Sequence, residues 1–165
     1  MTASPTLRRR AVPAVGGWPA QVPPLLQRLY AARGITSAEQ AELRLAKLLA
    51  PSLFGGMDAA VDLLHNAISR DAHIVVVGDF DCDGATGTAV AVRGLRMLGA
   101  TRVSYRVPHR IAHGYGLSPA FVDDELVPIA PQVVITVDSG IACLPGVAAA
   151  KARGWQVLVT DHHLP

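Results

Sequence analysis

The chain has 165 residues, of which 50% are hydrophobic and 17% are charged. This length suffices for one domain with a real core, and the composition excludes a disordered chain. The formal net charge is only +2, but residues 1–50 contain seven Lys and Arg against two Glu, whereas residues 51–165 contain eight against eleven acids. The basic side chains of the first part could lie along a nucleic acid or could form an ordinary solvated helix surface.

Membrane and secreted classes lack their sequence signals. No run approaches the roughly 18 apolar residues that a membrane span needs. Arg8–Arg10 could mimic the basic start of a signal peptide, but the prolines and glycines that follow leave no apolar stretch. Cys82 and Cys143 are too few for a disulfide framework or a zinc pair, and Cys82 is expected to be a small buried residue. We therefore expect a cytoplasmic protein with no membrane partner.

The N-terminal part of the chain is predicted to be helical. Residues 1–21 are predicted to form a flexible arm, and residues 22–70 a helical region. Apolar residues recur at helical spacing from Val22 to Tyr30, and Thr36 with Glu39 has the spacing of a capping box. The predicted helices cover residues 22–34, 36–49 and 57–69.

The remainder, residues 71–165, is predicted to be an α/β domain. Four short runs rich in Val and Ile indicate strands near residues 73–78, 102–107, 132–137 and 156–160. Predicted helices lie at residues 85–98 and 144–152. The inward face of the first is expected to comprise Val90, Ala91, Gly94, Leu95, Met97 and Leu98. This alternation implies right-handed crossovers and a mainly parallel, Rossmann-like sheet with helices on both faces.

Three aspartates follow the first strand at every second position: Asp79, Asp81 and Asp83. Carboxylates this close repel one another, so keeping all three ionised generally requires a cation. A calcium-binding EF-hand is disfavoured because a strand precedes the run and Val90 stands at the twelfth position, where that loop needs Glu. A phosphatase of the haloacid dehalogenase type fits imperfectly and gives Asp79 no role. A solvated acidic turn that caps a helix is the structural alternative.

Two further polar groups follow later strands. Asp138 comes directly after the third predicted strand, and Asp161, His162 and His163 come directly after the fourth. Because ligand sites of parallel sheets lie beyond the carboxyl ends of the strands, we expect these groups to converge with the three aspartates. A mixed carboxylate and imidazole set suits Mn²⁺ and tolerates Mg²⁺.

These motifs also carry a resemblance. GDFDCDGAT, TVDSGI and TDHHLP, in that order, resemble the successive motifs of the DHH phosphoesterase superfamily. WPAQVPPLLQRLYAARGI and the loop with VPHR and HGYGLS are similar to its bacterial 5′ to 3′ exonucleases specific for single-stranded DNA, so the likeness covers about residues 18–165. Ser139 stands where that family often has Asn, and Cys82 where it often has Ala.

The resemblance implies roles for individual residues. It implies metal ligation by Asp81, Asp83, Asp138 and His162, with Asp79 as a fifth acid of the site. It implies that Asp161 orients or shares the metal and that His163 faces the scissile phosphate. Arg110 would hold a phosphate by bidentate hydrogen bonds, although a surface arginine without a role is the alternative. Tyr115 could stack on a base or pack the loop.

The resemblance further implies a two-metal hydrolysis of phosphodiesters in DNA repair and recombination, with single-stranded DNA as the partner. Other recombination and repair proteins are possible partners. Family members continue past the histidine pair with another metal-binding Asp, a second domain and an OB-fold, so we expect an N-terminal fragment that is inactive alone. Two other functions stay open: a phosphodiesterase or pyrophosphatase of the same family that acts on short nucleotides, and a non-catalytic module.

Overall fold

The computed structural model describes Arg8 and residues 11–13 and 16–164. About half of the predicted arm at residues 1–21 therefore lies outside the described residues. The chain divides into two compact units, Met1–Phe54 and Gly55–Pro165. This division assigns the helix at Met57–Ser69 to the second unit, whereas the predicted helical region ran to residue 70.

In its described residues, the first unit contains one α-helix, α1, at Pro24–Ala31. A proline at its first position favours helix initiation, and Trp18 stacks on Tyr30 with 5.2 Å between the ring centroids. The predicted helix at residues 36–49 is wrong, because this segment forms turns and a short 3₁₀ helix at Leu45–Lys47. Its leucines are exposed, Leu43 by 97%, so the segment has no core against which a helix could pack.

The second unit is built on a four-stranded parallel sheet with the strand order β2-β1-β3-β4. The strands are β1 at Ile74–Val77, β2 at Val103–Arg106, β3 at Val133–Val137 and β4 at Gln156–Thr160. The helices are α2 at Met57–Ser69, α3 at Cys82–Met97, α4 at Pro119–Phe121 and α5 at Leu144–Ala152. The predicted α/β class and the parallel sheet are confirmed.

Helices cover both faces of the sheet. Alternate residues of the central strands point to opposite faces and pack in different clusters. Ile74 and Val76 pack with α2 and α3 in one core cluster. Val75 and Val77 pack in a second cluster with Phe121 and with Ala150 of α5. Helix α3, which joins β1 to β2, thus lies on one face of the sheet, and α4 and α5, which follow β2 and β3, lie on the other. Right-handed crossovers that run in opposite directions along the sheet require this arrangement.

Strand β1 lies between β2 and β3. The chain continues from β1 to β2 on one side of it, and the next strand, β3, pairs with β1 on the other side. Such a reversal opens a crevice at the carboxyl ends of the two strands that flank it, here β1 and β3. Asp79 follows β1 and Asp138 follows β3. The topology therefore places the two aspartates at the crevice.

A helical segment between β2 and β3 was not predicted. It begins with α4, capped by the Ser118 hydroxyl, which accepts a hydrogen bond from the Phe121 amide at 3.2 Å. It continues as a π-helix at Val122–Leu126 and a 3₁₀ turn at Val127–Ile129. Phe121 is fully buried, so this segment supplies part of the second core cluster.

Helix α3 begins at Cys82, three residues earlier than predicted. Leu95 of the predicted inward face is buried, as is Val92, but Val90, Met97 and Leu98 are 72%, 85% and 70% exposed. The predicted inward face is therefore correct for Leu95 and wrong for these three residues, and the predicted burial of Cys82 is wrong. No helix in the described part of the chain is both long and apolar enough to cross a membrane.

Candidate metal centre

The acidic loop is shaped by the start of helix α3. Asp81 is the N-cap residue, and its carboxylate accepts a hydrogen bond from the Gly84 amide at 3.3 Å. Gly84 lies against Asp79, since an added Cβ would be 2.7 Å from the Asp79 Cβ and carbonyl oxygen. This close approach holds Asp79, only 3% exposed, at the carboxyl end of β1. Its carboxylate accepts a hydrogen bond from the Phe80 amide at 2.7 Å.

Asp138 has a left-handed backbone, with φ of 62°. Its amide donates to the Thr160 carbonyl at 3.0 Å, which extends the pairing of β3 with β4 by one bond. Its carbonyl accepts a hydrogen bond from the Tyr115 hydroxyl at 2.8 Å. Left-handed geometry is uncommon for residues other than Gly but tolerated by Asp, and here these two bonds stabilise it.

The triplet after β4 is organised by the Asp161 carboxylate. It accepts hydrogen bonds from the amides of Ile141 at 3.0 Å, His162 at 2.8 Å and His163 at 3.1 Å. It also contacts Nδ1 of His163 at 2.7 Å. Asp161 therefore fixes the turn and the orientation of the His163 ring.

The predicted convergence of these groups is observed. Nε2 of His162 lies 2.9 Å from the Asp138 carboxylate and 3.8 Å from that of Asp83. Ligand atoms of Asp79, Asp81 and Asp138 lie within 4.8 Å of one another, as do those of Asp138, His162 and His163. Asp138 thus belongs to both groups. A shallow cavity of about 370 Å³ beside them is lined by Asp83, Asp138, Thr160, Asp161 and His162.

The electrostatics follow from burial and from these neighbours. Burial has the largest effect on the pKa of Asp79 and raises it above its usual value, and the carboxylates of Asp81 and Asp138 raise it further. The hydrogen bond from the Phe80 amide and the charge of Arg110 lower this pKa but do not cancel the rise. Burial also raises the pKa of Asp161, but the bonds from Ile141, His163 and His162 together lower it to about 2.

Two neighbouring groups respond to the same charges. The hydrogen bond to Asp161 is the main cause that raises the pKa of His163. Burial, followed by the charges of Asp161, Asp79 and Asp138, raises the pKa of Tyr115 to about 12. The site therefore favours positive charge and disfavours further negative charge.

The donor set fits a divalent cation. Among the described residues, no Lys or Arg forms a salt bridge with Asp79, Asp81, Asp83 or Asp138, although two of these carboxylates are buried. Buried carboxylates that meet without a cationic partner are costly, and a metal ion would offset that cost. Oxygen ligands with one or two imidazoles suit Mn²⁺ or Mg²⁺ better than the sulfur-rich sites of structural zinc.

Arg110 and Tyr115 lie in the loop that borders the acidic groups. The Arg110 guanidinium carbon stands 4.2 Å from the centroid of the Phe80 ring, a cation–π contact. The Tyr115 hydroxyl lies 3.2 Å from Nδ1 of His163 in addition to its bond to Asp138. Tyr115 is therefore engaged with the two polar groups at the ends of β3 and β4.

The sequence analysis missed Phe80, although it lies between two predicted ligands. Its ring carries Arg110 and makes an edge contact with Tyr115 at 6.4 Å between centroids. It also missed the Ile141 amide, which binds Asp161. The aromatic residue inside the acidic run was the available signal for Phe80, whereas no side-chain pattern could reveal a backbone amide.

The fold and the site together define a Rossmann-like α/β domain with a carboxylate and imidazole centre at its switch point. The chain belongs to the DHH family, because residues 73–165 match the model for the DHH family, N-terminal domain. The resemblance inferred from the motifs is confirmed.

Several relatives and solved structures are similar to this chain. It is 50% identical to the single-stranded-DNA-specific exonuclease RecJ of Salmonella typhimurium and 47% identical to that of Escherichia coli, each over 96% of this chain and 27% of the relative. A structure of exonuclease RecJ bound to manganese matches with a TM-score of 0.64, 41% identity and coverage of 72% of this chain and 30% of that one. RecJ of Thermus thermophilus in complex with Mn²⁺ matches with a TM-score of 0.60, 32% identity and coverage of 90% and 23%. The chain thus spans about a quarter of the length of these relatives.

Proposed function

We propose that this chain forms the N-terminal part of a 5′ to 3′ exonuclease specific for single-stranded DNA, which acts in the cytoplasm in DNA repair and recombination. The observation that carries the proposal is the convergence of four aspartates and the histidine pair at the switch point of the sheet. The names of the similar curated proteins support the choice of substrate. The manganese in two similar solved structures supports the choice of metal.

The proposed metal ligands are Asp79, Asp81, Asp83, Asp138 and His162. A divalent ion bound there would supply a water of lowered pKa and stabilise the negative charge that develops on the phosphate and the leaving oxygen. The buried positions of Asp79 and Asp138 favour tight binding, since charge interactions strengthen where water is excluded.

The remaining polar side chains would handle the phosphate. His163, whose Nδ1 is held by Asp161, could in its protonated form also donate a hydrogen bond from Nε2 to the scissile phosphate. Asp161 acts as the positioning residue of this pair, as the His-orienting carboxylate does in other hydrolases. Arg110 would bind a phosphate through two parallel hydrogen bonds. Tyr115 would contact the substrate at the same edge while it holds the Asp138 carbonyl.

A chimera tests this proposal directly. In it, the present chain replaces the matching N-terminal segment of the Escherichia coli relative, and nucleotide release is measured with Mn²⁺ present. We expect release from 5′-phosphorylated single-stranded DNA, and much less from the same strand in a duplex or from a dinucleotide. The His162→Ala chimera is the matched control for contaminating nucleases. A folded chimera that cleaves only dinucleotides, or that does not exceed the control, would contradict the proposal.

A further inference from the structure

His113 is a nearly buried imidazole that does not belong to the acidic site. Its side chain is only 7% exposed, and Nε2 lies 3.4 Å from the Asp124 carboxylate in the π-helical segment. Its ring packs edge-on against Phe121, with 5.3 Å between the ring centroids. The loop that carries Arg110 is thereby fastened to the second core cluster.

The hydrogen-bond partners assign the tautomer of His113. The backbone amide of His109 donates to Nδ1 of His113 at 3.1 Å, so Nδ1 is an acceptor and carries no proton. The ring proton then lies on Nε2, where it is directed towards the Asp124 carboxylate. Both nitrogens of this imidazole therefore have a structural partner.

The same bonds close a tight turn over residues 109–113. The His113 amide donates to the His109 carbonyl at 2.8 Å, which pairs the two residues a second time. Nδ1 of His109 faces the amides of Ile111 and Ala112, each at 3.3 Å. Three backbone amides of this exposed turn, those of His109, Ile111 and Ala112, are thus bound by the two imidazoles.

Arg110 lies inside this turn. Residues 109–112 are exposed, Ile111 by 89%, so little packing holds the turn in place apart from His113. Gly114 follows immediately with φ of 74°, a left-handed conformation that favours glycine. The place of the guanidinium over Phe80 consequently depends on the turn, and the turn depends on His113.

We propose that His113 is the positioning residue of Arg110. By closing the turn and fastening it to Phe121 and Asp124, it holds the guanidinium over Phe80 beside the carboxylate of Asp79. Its significance for activity rests on the proposed function, in which Arg110 binds a substrate phosphate. Removal of its hydrogen bonds lets Arg110 leave this place without changing any proposed metal ligand.

Two substitutions distinguish the hydrogen bonds of His113 from the packing of its ring. His113→Phe retains an aromatic ring against Phe121 but offers no acceptor to His109. His113→Asn places an oxygen near the position of Nδ1 and so restores the acceptor. His65→Phe, at an exposed histidine of α2, is the matched control.

The first readout needs no DNA. In NMR spectra of the 165-residue chain, the side-chain protons of Arg110 should be shifted upfield by the Phe80 ring. We expect His113→Phe to lose this shift, and His113→Asn and His65→Phe to keep it. An unchanged shift in a folded His113→Phe variant would overturn the proposal whatever the substrate proves to be.

The second readout is binding of a 5′-phosphorylated single strand by the chimera with the Escherichia coli relative. Arg110→Ala and His113→Phe should each weaken binding by at least about tenfold, as expected for the loss of charged hydrogen bonds to a phosphate. The double variant should bind no more weakly than Arg110→Ala alone, because His113 acts through that residue. Losses that multiply would refute the positioning role. Wild-type binding by Arg110→Ala would instead reject the phosphate role of Arg110 and leave the NMR result to decide the role of His113.

Discussion

At the scale of single residues, the central feature is the burial of Asp79 and Asp138 at 3% and 8% exposure. With Asp81 they bring three carboxylate oxygens within 4.8 Å of one another. Mutual repulsion should make this edge of the sheet a weak point of the metal-free chain. A bound divalent cation should therefore stabilise the folded state by mass action.

The first prediction concerns that stabilisation. Mn²⁺ at 100 times its dissociation constant should raise the free energy of unfolding of the chain by about 2.7 kcal/mol. Asp81→Asn should remove most of the effect, because it deletes a charge and a ligand. Thermal unfolding followed by circular dichroism, with and without Mn²⁺, measures the difference. Asp62→Asn, at an exposed acid of α2, is the control and should retain the full effect.

The second prediction concerns His163, whose pKa is raised chiefly by its hydrogen bond to Asp161. Asp161→Asn should lower the pKa of His163 in metal-free protein, as measured by an NMR titration of the imidazole. Since the folded-state pKa exceeds the unfolded value of about 6.5, protonated His163 stabilises the fold fully below a pH of about 6.5, as long as Asp161 stays ionised. Its contribution is lost as the pH rises through the folded-state pKa. An unchanged pKa of His163 in the variant would show that Asp161 does not hold the ring.

At the scale of elements, helix α3 couples the sheet to the acidic loop. Its N-cap is Asp81, and Gly84 in its first turn touches Asp79. A methyl group at residue 84 would meet the backbone of Asp79 at 2.7 Å, whereas one at Gly94 would meet nothing within 4 Å. The same substitution at these two glycines should therefore have opposite effects.

The third prediction follows from that contrast. Gly84→Ala should destabilise the chain by about 1–3 kcal/mol through overpacking. Gly94→Ala should stabilise it by about 0.5–1 kcal/mol, because alanine loses less backbone entropy in a helix interior. Urea unfolding of the two variants provides the measurement. A Gly84→Ala variant as stable as the wild type would mean that the helix start can move away from Asp79.

The strands and several helices could be predicted because their signals are local. The helix at Met57–Ser69 and the helix at Leu144–Ala152 have the bounds that periodicity and flanking residues indicated. The predicted helix at residues 36–49 does not form, and contacts other than the predicted capping pair of Thr36 with Glu39 are present. The Ser37 hydroxyl accepts a hydrogen bond from the Gln40 amide at 3.4 Å, and the Gln40 side chain accepts one from the Thr36 amide at 2.8 Å, but turns and a short 3₁₀ helix follow. Without a surface to cover, the leucines there do not fix a helix.

Part of the candidate site could likewise be predicted from the sequence, and part could not. Topology alone brings Asp79, Asp138 and Asp161 to one edge, since each follows a parallel strand. The partners of Arg110 and Tyr115 could not be predicted, because they depend on the path of the loop between β2 and α4. Contacts of His113 with Phe121 and Asp124 help to set that path, and no pattern of residue types in the sequence indicates them.

At the scale of the whole molecule, the candidate metal centre is open to solvent. The side chains of His162 and Asp83 are both 68% exposed, and the cavity beside them is shallow. Val159 of the edge strand β4 is 39% exposed, and Leu164 just beyond that strand is 90% exposed. In the described residues the candidate metal centre is thus an open surface, and the chain spans about a quarter of the length of the curated relatives.

The last prediction is that the 165-residue chain alone is not a processive exonuclease, even with Mn²⁺ present. Catalysis of phosphodiester hydrolysis requires that the substrate be held in place, and a misplacement of about 1 Å can cost roughly 100-fold in rate. The proposed ligands His162 and Asp83, whose side chains are two-thirds exposed, should also hold a metal ion less tightly than buried ligands.

We therefore expect nucleotide release by the isolated chain from 5′-phosphorylated single-stranded DNA to be at least about 100-fold slower than release by the chimera with the Escherichia coli relative. Both proteins are assayed at equal concentration, and the His162→Ala form of each sets the background. Turnover of the isolated chain close to that of the chimera, and lost in its His162→Ala form, would show that these residues suffice to hold both metal and substrate. In that case the open site must close around the DNA strand, and the exposure of its side chains in the free protein would not predict how tightly it holds DNA.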